Sequence, residues 1–93
     1  MGLLEGPSSG IIARAPREVL LLQRAERDLF SIQAVERRMV ATVLDELAVD
    51  ALPRGVESVH GRFRDHLRLR VGRFRVLYKV DEGLLTVVAV IAG

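Results

Sequence analysis

The chain has 93 residues and no cysteine. Disulfides, thiolate nucleophiles and thiolate metal sites are therefore excluded, and the absence fits a reducing cytoplasm, which is the expected location. Long apolar runs are missing too. The longest, Leu84 to Ala92, holds nine residues and includes Thr86, short of the ~20 that a membrane-spanning helix needs, so no membrane partner is expected. Histidine is limited to His60 and His66, with only Asp65 nearby. That is a poor ligand set, and no metal or small-molecule cofactor is expected. Glycine never clusters into a phosphate-cradling loop, because Gly72 and Gly83 each stand where a turn belongs. Residues 1 to 15 lack the charged start and long apolar stretch of a secretory signal. Gly6 occupies the position where a myristoylation signal wants Ser or Thr. No internal repeat or low-complexity tract is visible.

What remains is an ordinary globular composition, 49% apolar and 28% charged, at a length suited to one small domain. The charge is unevenly spread. Arg54 to Lys79 holds eight basic residues against two acids, Glu57 and Asp65, a net of +6, whereas the rest of the chain is −4. A concentrated basic segment on a near-neutral chain is the electrostatic footprint of a polyanion binder. Thirteen of the fourteen basic residues are arginine, whose planar fork suits phosphate and stacks on bases. A codon bias accounts for Arg over Lys but not for the clustering.

Residues 1 to 15 carry Gly, Pro and Ser without a sustained period and read as a flexible tail, with Leu-Leu and Ile-Ile pairs available to dock on the body; 16–93 read as the domain. Glu18 to Leu22 is expected as a first strand, and its three consecutive leucines suggest burial on both faces, as in a central strand. A short helix follows from about Arg24 to Phe30, with Ala25, Leu29 and Phe30 on its apolar side. Ser31 is placed to cap the next helix. That helix, about Gln33 to Val49, is marked by Val35, Met39, Val43 and Leu47 at intervals of four, widened by Val40 and Leu44. Glu36, Arg37, Arg38, Asp45 and Glu46 form its wet side, which argues against paired catalytic carboxylates. Asp50 to Arg64 reads as a loop, and Leu84 to Ala92 as an interior strand. The order predicts an α+β fold: two N-terminal helices packed on one face of a small, mostly antiparallel four-stranded sheet.

The segment from His66 to Val80, HLRLRVGRFRVLYKV, carries the chemistry. With Gly72 and Arg73 as a two-residue turn, Val71 pairs with Phe74, Leu69 with Val76 and Leu67 with Tyr78, all on one apolar face. That phase puts Tyr78 in the core, not on a base-stacking surface. The other face pairs Arg70 with Arg75, Arg68 with Leu77, and His66 with Lys79. Directly opposed like charges destabilise a sheet, a cost most readily offset by an anion lying between them. With no acidic residue interleaved on that face, a phosphate-rich partner is expected, RNA first among candidates. His66 is the only imidazole on the face and is the residue type suited to exchange protons there.

These residues resemble the RelE/ParE superfamily of toxins from type II toxin–antitoxin systems. Arg70, Val71, Gly72, Phe74, Arg75, Val76 and Tyr78 match the family phrase R-V-G-x-[YF]-R-V-x-Y, and Arg24, Ala25, Arg27, Asp28 and Leu29 echo [RK]-A-x-[KR]-[DE]-L. The resemblance spans roughly residues 17 to 93. It implies a RelE-like fold and a compact basic protein that enters the ribosomal A site and cleaves mRNA. Its partners would be the ribosome, mRNA and a RelB-like antitoxin whose C-terminal segment neutralises the basic face. His66, Arg68 and Arg75 fall at the family's two basic strand positions and its phosphate-gripping arginine, with Arg70 beside them. Arg62, Arg64, Arg73 and Lys79 are the further phosphate contacts. The chemistry is attack of a 2′-OH on the adjacent phosphate, with arginines stabilising the developing charge. RelE-type enzymes usually continue after the last strand with G-[HK]-R and a Tyr, and this sequence stops at Gly93. Two alternatives therefore stay open: a ParE-like toxin that inhibits DNA gyrase by binding, or a degenerate nucleic-acid-binding member.

Overall fold

The computed structural model describes residues 16–63 and 65–93. The expected N-terminal tail and Arg64 lie outside the described residues. Alternation along the basic segment produces the hairpin. Strands β3 (Leu67–Val71) and β4 (Phe74–Asp81) pair antiparallel, with Val71 opposite Phe74, Arg70 opposite Arg75, Leu69 opposite Val76, Arg68 opposite Leu77 and Leu67 opposite Tyr78. The turn is Gly72–Arg73, and Gly72 has φ 60°, a left-handed conformation that costs glycine nothing. A Cβ there would also lie 2.8 Å from Met39 Cε.

A turn at Gly83 returns the chain into β5 (Leu84–Ala92), which pairs antiparallel with β4. The register slips between Leu77 and Tyr78, whose partners are Ala89 and Val87. Val88 is thus the extra residue of a β-bulge, and the slip keeps Leu85, Val87 and Val90 all inside the core. Strand β1 (Glu18–Leu21) lies parallel to β5, and β2 (Glu57–Ser58) pairs antiparallel with β3. Among the described residues the sheet is therefore five-stranded and mixed, in the order β1-β5-β4-β3-β2, not four-stranded. The added strand lies within the expected 50–64 loop, where two residues are too few to show a period. A 3₁₀ turn, Gly61–Phe63, follows it.

β1 is an edge strand, not a central one. With a neighbour on one side only among the described residues, it leaves Val19, Leu20 (48%) and Leu22 exposed despite their apolar run. Beyond its end the edge of β5 is capped by a side chain: Val90 N–H donates to Asp28 Oδ2 at 2.9 Å. Asp28 belongs to helix α1 (Gln23–Phe30), which buries Ala25 and Leu29. Phe30 is not on the buried side. It is 69% exposed and stacks under the Arg37 guanidinium, 5.5 Å from ring centroid to Cζ. Ser31 closes α1 and does not open the next helix. Its backbone N–H and its hydroxyl both donate to Asp28 O.

Helix α2 (Ala34–Val49) buries Val40, Leu44, Leu47 and Ala48, while Val35 and Met39 are 71% and 39% exposed. The sequence offers two adjacent apolar rows, 35/39/43/47 and 40/44/48, about 100° apart on the helix. The second is buried along its whole length, whereas the first is exposed at Val35 and Met39, half-buried at Val43 and buried only at Leu47. Arg37, expected on the wet side, is part-buried and donates to the backbone oxygens of Leu29 (3.0 Å) and Ile32 (3.1 Å), joining the two helices. Both helices cover the face of the sheet that presents Val71, Phe74, Val76 and Tyr78. Tyr78 is fully buried, and its hydroxyl donates to Ala51 O at 2.7 Å. That bond ties the end of α2 to the sheet centre. Burial, with a smaller contribution from the Asp50 charge, pushes the Tyr78 pKa up to about 12. No helix of the described residues is long and apolar enough to cross a membrane.

Candidate nucleic-acid interface

Because inward positions of β3 and β4 are committed to the core, the intervening ones project from the opposite face. Arg68 and Arg70 of β3 therefore share an outer row with Arg75, Leu77 and Lys79 of β4. Arg70 and Arg75 are direct register partners and both are exposed. Among the described residues neither has a carboxylate within ion-pair distance. The juxtaposition on which the sequence argument rests is present.

Arg68 is different. Its Nη2 and Nε donate to a single oxygen, Glu57 Oε1, at 3.0 and 3.2 Å. Glu57 sits on β2 directly opposite Arg68, so the expectation of a face without acids is corrected. The acid arrives on the short strand that the sequence could not reveal. Arg73 is also held within the chain. It makes a two-pronged contact to Glu36 of α2, Nε to Oε2 at 2.7 Å and Nη2 to Oε1 at 2.9 Å. Its Cζ lies 4.6 Å from the Phe74 ring centroid. The hydrogen bond from Arg73 holds the Glu36 carboxyl below its ordinary pKa, against the opposing effect of burial and with a lesser contribution from the Arg73 charge, and the same contact raises that of Arg73. Arg73 thus belongs to the turn–helix junction, not to the row containing Arg70 and Arg75.

His66 stands one residue outside the ladder, which begins at Leu67, so the expected His66–Lys79 pair is not among the register partners. Its carbonyl accepts from Val59 N–H at 3.1 Å, and its Nδ1 is shielded from solvent. Lys79 is exposed opposite Thr86 of β5, four residues and so ~13 Å along the strand from Arg75. Arg62 is exposed on the 3₁₀ turn, and His60 is exposed before it. No group of three or more His, Asp or Glu among the described residues could hold a metal ion.

Two hollows meet on the arginine row. One, of about 240 Å³, is polar and lined by Gly55, Glu57, Arg68, Arg70 and Arg75. The other, of about 250 Å³, is bordered by Arg68 and Arg75 and floored by Val59, Leu77 and Ile91. Their shared wall is cationic. A phosphate between Arg70 and Arg75 would therefore place an adjoining sugar or base beside apolar surface. Leu77 was legible on this row from alternation; Ile91 was not, since the β5 bulge sets its phase.

No protein-family model matches the sequence, and no curated protein matches it. Solved structures do match. A chain of the RelBE2 toxin–antitoxin complex from Mycobacterium tuberculosis superposes with a TM-score of 0.67 at 22% identity, covering 85% of this chain and 100% of that one. The archaeal RelE–RelB complex from Pyrococcus horikoshii gives 0.72 at 21% identity, over 84% and 96%. The YoeB/ParE toxin from Agrobacterium tumefaciens gives 0.69 at 12% identity, over 82% and 98%. The fold is that of the RelE/ParE toxins. On this fold the outer sheet face carries Arg70 and Arg75, neither of which has an ion-pair partner among the described residues.

Proposed function

We propose that this chain is the toxin of a type II toxin–antitoxin pair, a cytoplasmic protein that binds RNA across β3 and β4 and cleaves mRNA on the ribosome. The observation that carries the proposal is the exposed Arg70–Arg75 pair beside an apolar hollow. The two guanidiniums grip the scissile phosphate, with Arg75 as its principal contact. Arg68, held by Glu57, borders the same hollow and supplies further positive charge. Attack of the 2′-oxygen on phosphorus breaks the bond to the 5′-oxygen and leaves a cyclic phosphate and a 5′-hydroxyl. The arginines stabilise the extra negative charge of the transition state without changing protonation. His66, at the edge of the row, is the residue placed to exchange the protons. Arg62 and Lys79 lengthen the basic track along the RNA backbone. No cofactor is required. The partner that restrains the toxin is an antitoxin with an acidic segment, since the exposed pair calls for carboxylates.

A second reading, binding without cleavage as in a gyrase-inhibiting toxin, is favoured by one observation. Glu57 neutralises Arg68 inside the hollow itself. Mapping of cut sites on mRNA in a translating extract tests the first reading. Cleavage that disappears in Arg75→Ala supports it. Intact transcripts at protein concentrations that stop growth, together with inhibition of gyrase supercoiling, would replace it with the second.

A further inference from the structure

The solvent side of α2 is complementary to itself. At ~100° per residue, Val35, Met39 and Val49 share one face with Arg38, Thr42 and Glu46, directly opposite the buried Val40, Leu44, Leu47 and Ala48. All six are exposed. Their order is a palindrome about Thr42, with valine at both ends and charges of opposite sign, Arg38 and Glu46, at equal intervals between. Thr42 commits its hydroxyl to Arg38 O at 3.0 Å, which leaves its methyl group for contact at the centre. The charges are ordered against the helix dipole. Arg38 stands in the N-terminal half, while Asp45 and Glu46 stand toward the C-terminal end, where the last turn has no basic residue. Among the described residues none of these three has an ion-pair partner.

A second α2 laid antiparallel on this face, with the two Thr42 residues at a twofold axis, answers both the exposed valines and the misordered charges. Arg38 of each copy meets Glu46 of the other, with Asp45 beside it, and Val35 of each covers Val49 of the other. Both copies use the same patch, as a twofold contact requires. We propose that α2 forms a symmetric antiparallel contact between two copies of this chain. The contact is one helix long, ~24 Å for sixteen residues. That places it at the weak end of specific interfaces, below about 1,200 Å², and the dimer is expected to form in the tens of micromolar. The arginine row stays open, because α2 covers the other side of the sheet. The inference is independent of the proposed RNA chemistry.

Sedimentation equilibrium of the full chain from about 1 to 300 µM reads the association, and charge exchange tests the register. Arg38→Glu and Glu46→Arg each set like charges in opposition across the axis and should weaken self-association by roughly tenfold or more. Both changes agree with the helix dipole, so the melting temperature of each variant should be no lower than that of the parent, which separates lost association from lost fold. Mixed in equal amounts, the two variants bring the introduced glutamate against the introduced arginine, and native Glu46 of one against native Arg38 of the other. Association of parental strength should return in the mixture. Arg27→Glu, an exposed change on α1, should leave association unaltered. A parent chain that stays monomeric to about 300 µM overturns the proposal. A dimer that the single exchanges leave intact, that the mixture fails to restore, or that Arg27→Glu weakens equally also overturns it.

Discussion

Arg75→Ala should move stability and RNA binding in opposite directions. In the free protein Arg75 faces Arg70 across the ladder with no carboxylate among the described residues to offset the repulsion. Removing it relieves a like-charge cross-strand pair worth a few tenths of a kcal/mol. For a domain of this size that corresponds to a melting temperature unchanged or raised by ~1–4 °C. The Arg75 guanidinium lies beside Gly93, where an added Cβ would be 3.5 Å from it, and loss of that contact limits the gain. RNA binding should weaken. A hydrogen bond to a charged group contributes about 1.5–3 kcal/mol, so affinity for a short single strand should fall by roughly tenfold to a hundredfold. Loss of one phosphate contact should also lower the slope of log affinity against log salt by ~0.7. Thermal melting and fluorescence titration at several salt concentrations measure both quantities. Arg27→Ala, an exposed change on α1, serves as the charge-matched control. A melting temperature lowered by more than ~5 °C, or unchanged affinity and salt slope, would refute the reasoning.

Three further outcomes follow from the packing. Tyr78 is the only tyrosine and the chain has no tryptophan, so its ionisation can be followed directly by absorbance. Its folded pKa is raised to about 12, so the stability it contributes is complete below the unfolded value near 10 and is lost as pH rises through 12. Up to ~2–3 kcal/mol should disappear across that window, and an absorbance midpoint near 10 in the folded protein would show the buried hydroxyl is not there. Val40→Ala should cost about 1–3 kcal/mol in denaturant unfolding, whereas Val35→Ala should change stability by under ~0.5 kcal/mol; equal effects would contradict the rotation of α2. Gly72→Ala should lose about 1–2 kcal/mol from the left-handed turn, with part of the loss recovered in Met39→Ala, since Met39 Cε is what the new Cβ meets.

Much of the site was legible because strand alternation is a two-state code. Once Gly72–Arg73 is taken as the turn, every residue from Leu67 to Tyr78 is assigned a face and a partner, and all five pairs occur. The assignment failed one residue beyond, at His66, where the ladder ends. It was also blind to Glu57, which reaches Arg68 from a strand of two residues. The helices were less legible in facing than in extent. α2 begins within a residue of the expected start and ends where expected, and Val40, Leu44 and Leu47 of the expected apolar stripe are buried, but its leading members Val35 and Met39 are exposed. An eight-residue α1 has too few turns to fix which side Phe30 takes.

The sequence alone determined what depends on near neighbours: helix spans, the hairpin turn, the two faces of β3 and β4, and the clustering of positive charge. Contacts between segments distant in the chain decided the rest. Parallel pairing of β1 with β5 set an edge that three leucines do not announce, docking decided which part of the α2 apolar stripe is covered, and carboxylates from β2 and α2 reached Arg68 and Arg73. Those outcomes turn on which surfaces meet and what area each meeting removes from water, a comparison that exists only once the whole chain is assembled.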